Sequence, residues 1–255
     1  MDASTPILLV VRPRAQALDW VDRLEALGLA ARALPLIDIL PAPAPAAVAA
    51  AFGELAGAER PVVVFVSPNA VEGFFDAAGS PRWPAGALAA ATGPGTVAAL
   101  RAAGVAEDQI VAPPPAAAQF DSEALWVRLS ADAWAGRPVW IVRGNGGRDW
   151  LGDQFRAAGA QVRVVQSYAR AEPSLGEGER ALLAEARAEP ARFAWLFSSS
   201  EAIGHLVALD PAADWQRARA LATHPRIAER ARAAGFGRVD VVAPLPAAVL
   251  EILRA

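Results

Sequence analysis

Val62-Val63-Val64-Phe65-Val66-Ser67-Pro68-Asn69-Ala70-Val71 opens as a β-branched run and changes character at Ser67-Pro68. The change returns later in the chain: Phe65 and Ser67-Pro68-Asn69-Ala70-Val71 align with Phe197 and Ser199-Ser200-Glu201-Ala202-Ile203 at an offset of 132. Outward from this pair the correspondence continues. Val11-Arg12-Pro13 matches Val142-Arg143-Gly144 at 131, and Asp19-Trp20 matches Asp149-Trp150 at 130. Ala91-Thr92-Gly93-Pro94 matches Ala222-Thr223-His224-Pro225, Arg101-Ala102-Ala103-Gly104 matches Arg232-Ala233-Ala234-Gly235, and Val111-Ala112-Pro113 matches Val242-Ala243-Pro244, all at 131. In an Ala-rich chain any one match is cheap, but a nearly constant offset along the whole length reports a duplication.

Each half alternates strand and helix. Short β-branched runs at 7–11, 62–66, 139–142, 162–166, 193–197 and 239–242 read as strands. Apolar spacings of three and four, as in Leu18, Val21, Leu24 and Leu27, read as helices, with ends expected at Gly28, Gly104, Gly159 and Gly235. Such alternation implies parallel sheets with right-handed crossovers. The expected fold is therefore α/β: two similar flavodoxin-like or Rossmann-like lobes.

Parallel sheets carry their ligand loops at the carboxyl ends of the strands. There the sequence places Arg12-Pro13, Ser67-Pro68-Asn69, Thr92-Gly93-Pro94-Gly95-Thr96, Arg143-Gly144-Asn145-Gly146-Gly147-Arg148, Ser198-Ser199-Ser200 and Thr223-His224-Pro225-Arg226. Helix N-termini follow these loops and favour anions. The expectation is a cleft between the lobes for a polyanionic ligand, held largely by main-chain donors.

Composition narrows the chemistry. The chain has 255 residues and no Cys, and all 24 basic residues are Arg. Disulfides, thiolate nucleophiles and thiolate zinc sites are excluded, as are Schiff bases and a Walker A loop, which need an amine. Only His205, His224 and the single Tyr168 are suited to proton transfer near neutrality, apart from perturbed carboxylates. A net charge of −3 with scattered Arg gives no basic face for nucleic acid. The apolar run at 7–11 is too short for a signal or a membrane span, so a cytoplasmic protein without membrane contact is expected.

Several features read most simply as structure. Gly144-Asn145-Gly146-Gly147 fails G-x-G-x-x-G because Asp149 stands at the last Gly. His205 lies mid-helix, one turn from Glu201, whereas His224 at a strand end is the better functional candidate. Two distant His without a third ligand make a metal site improbable. Asp149 and Asp153 suit a helix dipole, no Ser stands in a G-x-S-x-G elbow, and the eight Trp read as core. Prolines at 41–45 and 113–115 read as stiff connectors. Tyr168 either seals an interface or offers its hydroxyl to a ligand's leaving group.

Arg12-Pro13, Pro35-Leu36-Ile37, Phe65-Val66-Ser67-Pro68-Asn69-Ala70-Val71, Thr92-Gly93-Pro94-Gly95-Thr96-Val97-Ala98 and Asp121-Ser122-Glu123-Ala124-Leu125 form the first part of an ordered set. Arg143-Gly144 with Gly147-Arg148, Tyr168-Ala169-Arg170, Phe197-Ser198-Ser199 and His224-Pro225-Arg226-Ile227-Ala228 complete it. Together they resemble the uroporphyrinogen-III synthase family across nearly the whole chain. The resemblance implies two α/β lobes joined by a short two-stranded ladder, with residues 1–37 and 172–255 in one lobe and 38–171 in the other. The repeat alone would instead divide the chain near residue 130. It also implies that hydroxymethylbilane loses water and closes with inversion of ring D, through an azafulvenium cation and a spiro intermediate.

By the same resemblance Tyr168 assists departure of the hydroxyl. Arg12, Ser67, Asn69, Thr92, Gly93, Thr96, Arg143, Gly144, Arg148, Ser198, Ser199 and His224 are expected at the substrate, with no metal and no cofactor. Expected partners are the linear tetrapyrrole and, transiently, the enzyme that forms it; a monomer is expected. Val66 and Ile227 stand where the family commonly has Thr, so contacts there must be main-chain or absent. The competing reading is a bilobed binding protein that closes on an acidic metabolite without chemistry, since fold does not decide function. A two-lobed sugar-nucleotide transferase is disfavoured by the broken glycine motif.

Overall fold

Residues 62–65 are buried on both sides of the strand they form, β4 (Val62–Phe65). Val63 and Phe65 enter one apolar cluster with Phe74 and Trp83, while Val62 and Val64 enter another with Leu125, Trp134 and Phe155. That two-sided burial is what a central strand of a doubly wound parallel sheet requires. The computed structural model describes residues 6–115, 117 and 119–254.

Along the chain run β1 (Ile7–Val10), α1 (Arg14–Glu25), β2 (Ala31–Ala33), β3 (Asp38–Pro41), α2 (Pro45–Glu54), then β4, α3 (Pro68–Ala77), β5 (Leu88–Ala91), α4 (Pro94–Ala102) and β6 (Ile110–Val111). They are followed by α5 (Ser122–Leu129), β7 (Pro138–Arg143), α6 (Trp150–Ala157), β8 (Gln161–Gln166), β9 (Tyr168–Ala171) and α7 (Glu177–Ala188). The last elements are β10 (Phe193–Phe197), α8 (Ser200–Leu209), β11 (Arg219–Ala222), α9 (Pro225–Ala233), β12 (Arg238–Val241) and α10 (Pro246–Arg254). The six strands expected from sequence lie within one residue of those observed. The Ala-rich strands β5 and β11 carry no β-branched residue, so propensity missed them. Ala89, Ala90, Ala91, Ala220 and Ala222 are fully buried, and packing rather than intrinsic preference holds them extended.

The chain forms two compact units, one of Met1–Asp38 with Ala171–Ala255 and the other of Ile39–Arg170. The first contains a sheet ordered β12-β11-β10-β1-β2 and the second a sheet ordered β6-β5-β4-β7-β8. Every pairing within these two sheets is parallel; Ile7 lies opposite Phe193, and Val62 opposite Val139. Under the repeat offset the two orders are the same order. Each sheet therefore combines the opening strands of one repeat with the closing strands of the other. β3 and β9, where the chain passes from unit to unit, pair as a two-stranded sheet.

Helices α2, α3, α4, α9 and α10 begin with Pro at the first helical position, where its fixed φ suits the helix and its missing N–H costs nothing. Gly28, Gly104, Gly159 and Gly235, the expected helix endings, have φ of +79, +82, +88 and +95°. Six of the eight Trp are buried; in the first unit Trp215 stacks on Phe236 at 5.4 Å and Trp195 meets both edge-on, at 5.3 and 6.2 Å. The expected connectors are shorter than their prolines suggested: Pro41 closes β3 and Pro45 opens α2.

Candidate active site

In the unit of residues 39–170, β4 and β7 lie side by side, and their connections leave towards opposite edges, to β5 and to β8. This is the switch point at which doubly wound sheets hold ligands. The residues after β4 and β7 are Val66-Ser67 and Gly144-Asn145.

Ser67 caps α3, its Oγ accepting the Ala70 N–H at 3.2 Å. The same oxygen lies 3.1 Å from the phenol oxygen of Tyr168 at the start of β9. Tyr168 is buried, and its ring rests on Gly144, where a Cβ would come 2.7 Å from Cζ and 3.1 Å from the phenol oxygen. Asn145 fastens the following loop to β9: its Nδ2 donates to Arg170 O at 3.0 Å, and its Oδ1 accepts the Arg170 N–H at 2.5 Å. Two hydroxyls in contact share one hydrogen-bonding proton and leave the other directed elsewhere. With Ser67 Oγ already an acceptor, the pair can present one O–H to a ligand whichever donates to the other. In sequence Asn145 stands in a strand-end loop and a failed glycine motif; neither signals its bond to a strand 25 residues away.

The other candidates in this unit are placed less openly. Thr92 Oγ1 donates to Val66 O at 3.2 Å, and the Val66 N–H reaches Val142 O at 3.4 Å, so both main-chain groups of Val66 are engaged within the sheet ends. Gly93 caps α4; Asn69 and Thr96 are buried in the first turns of α3 and α4. Arg143 lies 3.5 Å from Asp149. Arg148 makes a two-pronged bond to Glu123, at 2.7 and 3.1 Å, which raises its pKa. Asp149 stands at the N-cap and Asp153 in the first turn of α6, where a helix dipole favours them; both also contact Arg156, at 2.8 and 2.9 Å, and Asp149 makes no side-chain cap bond.

In the unit of residues 1–38 and 171–255 the switch lies between β1 and β10, followed by Arg12 and by Ser198-Ser199. Ser199 caps α8 through Glu201 N–H at 3.1 Å, and His224 caps α9 as its Nδ1 accepts the Arg226 N–H at 3.1 Å. His205 is committed to the fold: its Nδ1–H donates to Leu36 O at 2.6 Å, since a carbonyl can only accept.

Arg12 differs from the other arginines at strand ends. Its guanidinium lies 4.4 Å from the centroid of Trp20. No carboxylate lies within ion-pair distance of it among the described residues, and its buried Nε has no hydrogen-bond partner. Burial pushes its pKa down to about 10, with Arg23 adding to the effect and Asp19 opposing it. It remains charged at neutral pH, partly buried beside the Trp20 ring, with Asp19 near enough to favour its charge but outside ion-pair distance. Among the described residues no group of three or more His, Asp or Glu is placed to hold a metal ion, and no helix is long and apolar enough to cross a membrane.

Residues 19–248 match the family model described as uroporphyrinogen-III synthase HemD. The chain is 29% identical over 246 residues to uroporphyrinogen-III synthase of Escherichia coli K12, covering 92% of this chain and 94% of that protein. Its fold is similar to that of a uroporphyrinogen III synthase of Thermus thermophilus, with a TM-score of 0.57 at 18% identity and 98% coverage of both chains. It is also similar to the uroporphyrinogen-III synthetase of Helicobacter pylori 26695, with a TM-score of 0.59 at 14% identity and 97% coverage of both.

Proposed function

The chain belongs to the uroporphyrinogen-III synthase family, cyclising hydro-lyases of heme biosynthesis, and from that premise we propose which of its residues carry the reaction. Hydroxymethylbilane loses its hydroxyl as water, the resulting azafulvenium cation closes through a spiro intermediate, and ring D is inverted in the product. The observation that supports a placed proton donor is the Tyr168–Ser67 contact over Gly144 at the sheet switch point. Tyr168 gives its proton to the departing hydroxyl while Ser67 holds the phenol oxygen. The proton released as the closing pyrrole regains aromaticity restores the phenol. The substrate supplies its own electrophile, so orientation dominates, and holding it in reactive geometry contributes up to ~7–11 kcal/mol. This accounts for a site without Lys or Cys.

The substrate's acetate and propionate groups fit a chain whose strand ends are helix N-termini. Arg12 is the side chain we assign to one such carboxylate, since an incoming anion would fill both its missing charge partner and its Nε hydrogen bond. Arg12→Met is expected to raise KM by roughly 10- to 100-fold, the range for a lost charged hydrogen bond. The same change is expected to raise the Tm of the ligand-free protein by a few degrees. The sign follows from the depressed pKa: the folded state disfavours the charged form at every pH below about 10, so removing that charge relieves a penalty at neutral pH. Thermal unfolding and kinetics on one preparation check both; a Tm that falls with KM unchanged would make Arg12 a structural residue.

We further propose a cytoplasmic monomer that receives its substrate from the bilane-forming enzyme, because free bilane closes spontaneously to isomer I. The deciding experiment generates hydroxymethylbilane in situ, adds this protein without metal or cofactor, and separates the oxidised porphyrins. Isomer III is expected. Isomer I alone, made in the presence of folded protein, would favour a binding module for another polyanion.

A further inference from the structure

Ser167 is the single residue between β8 and β9, where the chain leaves the five-stranded sheet for the two-stranded one. It is a polar residue with no exposed surface. Its N–H donates to Arg143 O at 3.0 Å, and its Oγ donates to Ala70 O, in the first turn of α3, at 3.0 Å. Its own carbonyl lies so close to α3 that a Cβ on Gly73 would come within 2.1 Å of the oxygen. A hydroxyl in this position has no route to a ligand. It ties the backbone that precedes Tyr168 to the same helix whose cap, Ser67, contacts the phenol oxygen.

Helix α3 therefore holds Tyr168 at both ends: the backbone through Ala70 and Gly73, the hydroxyl through Ser67. Its ring is confined by Gly144, which follows Arg143, the residue whose carbonyl accepts the Ser167 N–H. We propose that Ser167 is a positioning residue for the cyclisation, setting the height of Tyr168 over the switch point so that its phenol meets Ser67 and the substrate together. The assignment rests on the reading of Tyr168 as the proton donor. Loss of the Ser167 hydroxyl leaves Ala70 O its helical partner but frees the start of β9 to shift, and an ångström-scale shift at a proton donor costs rate rather than affinity.

The single tyrosine makes the test direct. In protein labelled at tyrosine Cζ, one carbon resonance reports Tyr168 without substrate or turnover. Ser167→Ala is expected to move that resonance, to lower kcat about tenfold and to leave KM within about twofold. In a Tyr168→Phe background, Ser167→Ala is expected to lower kcat no further. Ser167→Cys keeps a weaker donor in place and should fall between wild type and Ser167→Ala; it also serves if the alanine variant does not fold. A lowered Tm with wild-type kcat and an unmoved resonance would overturn the proposal, leaving Ser167 as packing alone. So would a further tenfold loss of kcat in the Tyr168→Phe background. If Tyr168→Phe turns over like wild type, the reading of Tyr168 fails and the proposal with it, while a resonance still moved by Ser167→Ala identifies the fault as the role of the phenol and not its attachment.

Discussion

Tyr168→Phe is expected to turn over about a hundredfold more slowly than wild type and still to favour isomer III over isomer I. A general acid contributes roughly 10²–10⁴-fold, and the lower part of that range is expected here because the substrate's hydroxyl is already primed to leave. The ring stays in place on Gly144, so substrate orientation survives and the loss falls on kcat, with KM little changed. Ser67 loses its phenol contact but keeps the Ala70 N–H, so the cap of α3 persists and stability falls only slightly. Single-turnover kinetics with isomer separation checks both parts. Unchanged turnover would remove the phenol from the mechanism; complete loss with an intact fold would show that orientation contributes less than argued above.

Gly144→Ala is the second large effect, and it is steric. The backbone at Gly144 is outside the left-handed region, so alanine meets no backbone strain there. Its methyl would instead lie 2.7 and 2.8 Å from Cζ and Cε2 of the tyrosine ring, well inside van der Waals contact. The ring must swing off its seat, and the phenol leaves Ser67. Turnover is expected to fall at least as far as in Tyr168→Phe, together with about 1–3 kcal/mol of stability, the usual cost of overpacking a filled site. The cycle with Tyr168→Ala separates causes: once the ring is gone the methyl has room, and Gly144→Ala should cost no further stability. Equal destabilisation in both backgrounds would place the damage in the loop and not in the tyrosine's seat.

How much of this was legible beforehand depends on the range of the interaction. Ser67 could be read as a helix start because a cap acts within three residues, and Gly104 and Gly235 as helix ends because a positive φ is a property of one residue. The contact between Ser67 and Tyr168, 101 residues apart, had no local signature. Ser167 was invisible for the same reason. A serine between two strand-forming runs looks like any connector until the carbonyls of Arg143 and Ala70 are brought to it. Arg148 stood among the substrate-facing residues by position in its loop, and only the structure brought Glu123 to its side.

The sequence by itself determined that the chain is a duplication of strand–helix units forming parallel sheets, with small and polar residues at the strand ends. Those are consequences of periodicity, propensity and the constant offset, all readable in one dimension. Which strands share a sheet was not readable from the repeat, which alone would divide the chain near residue 130; the family resemblance implied an exchange, and the pairings themselves belong to three dimensions. β1 pairs with β10 and β4 with β7, so the halves of the two repeats are exchanged. Equivalent strands from either repeat offer nearly the same apolar faces and hydrogen-bonding edges. The choice between them rests on where the connections, above all the paired crossing strands β3 and β9, allow the chain to go.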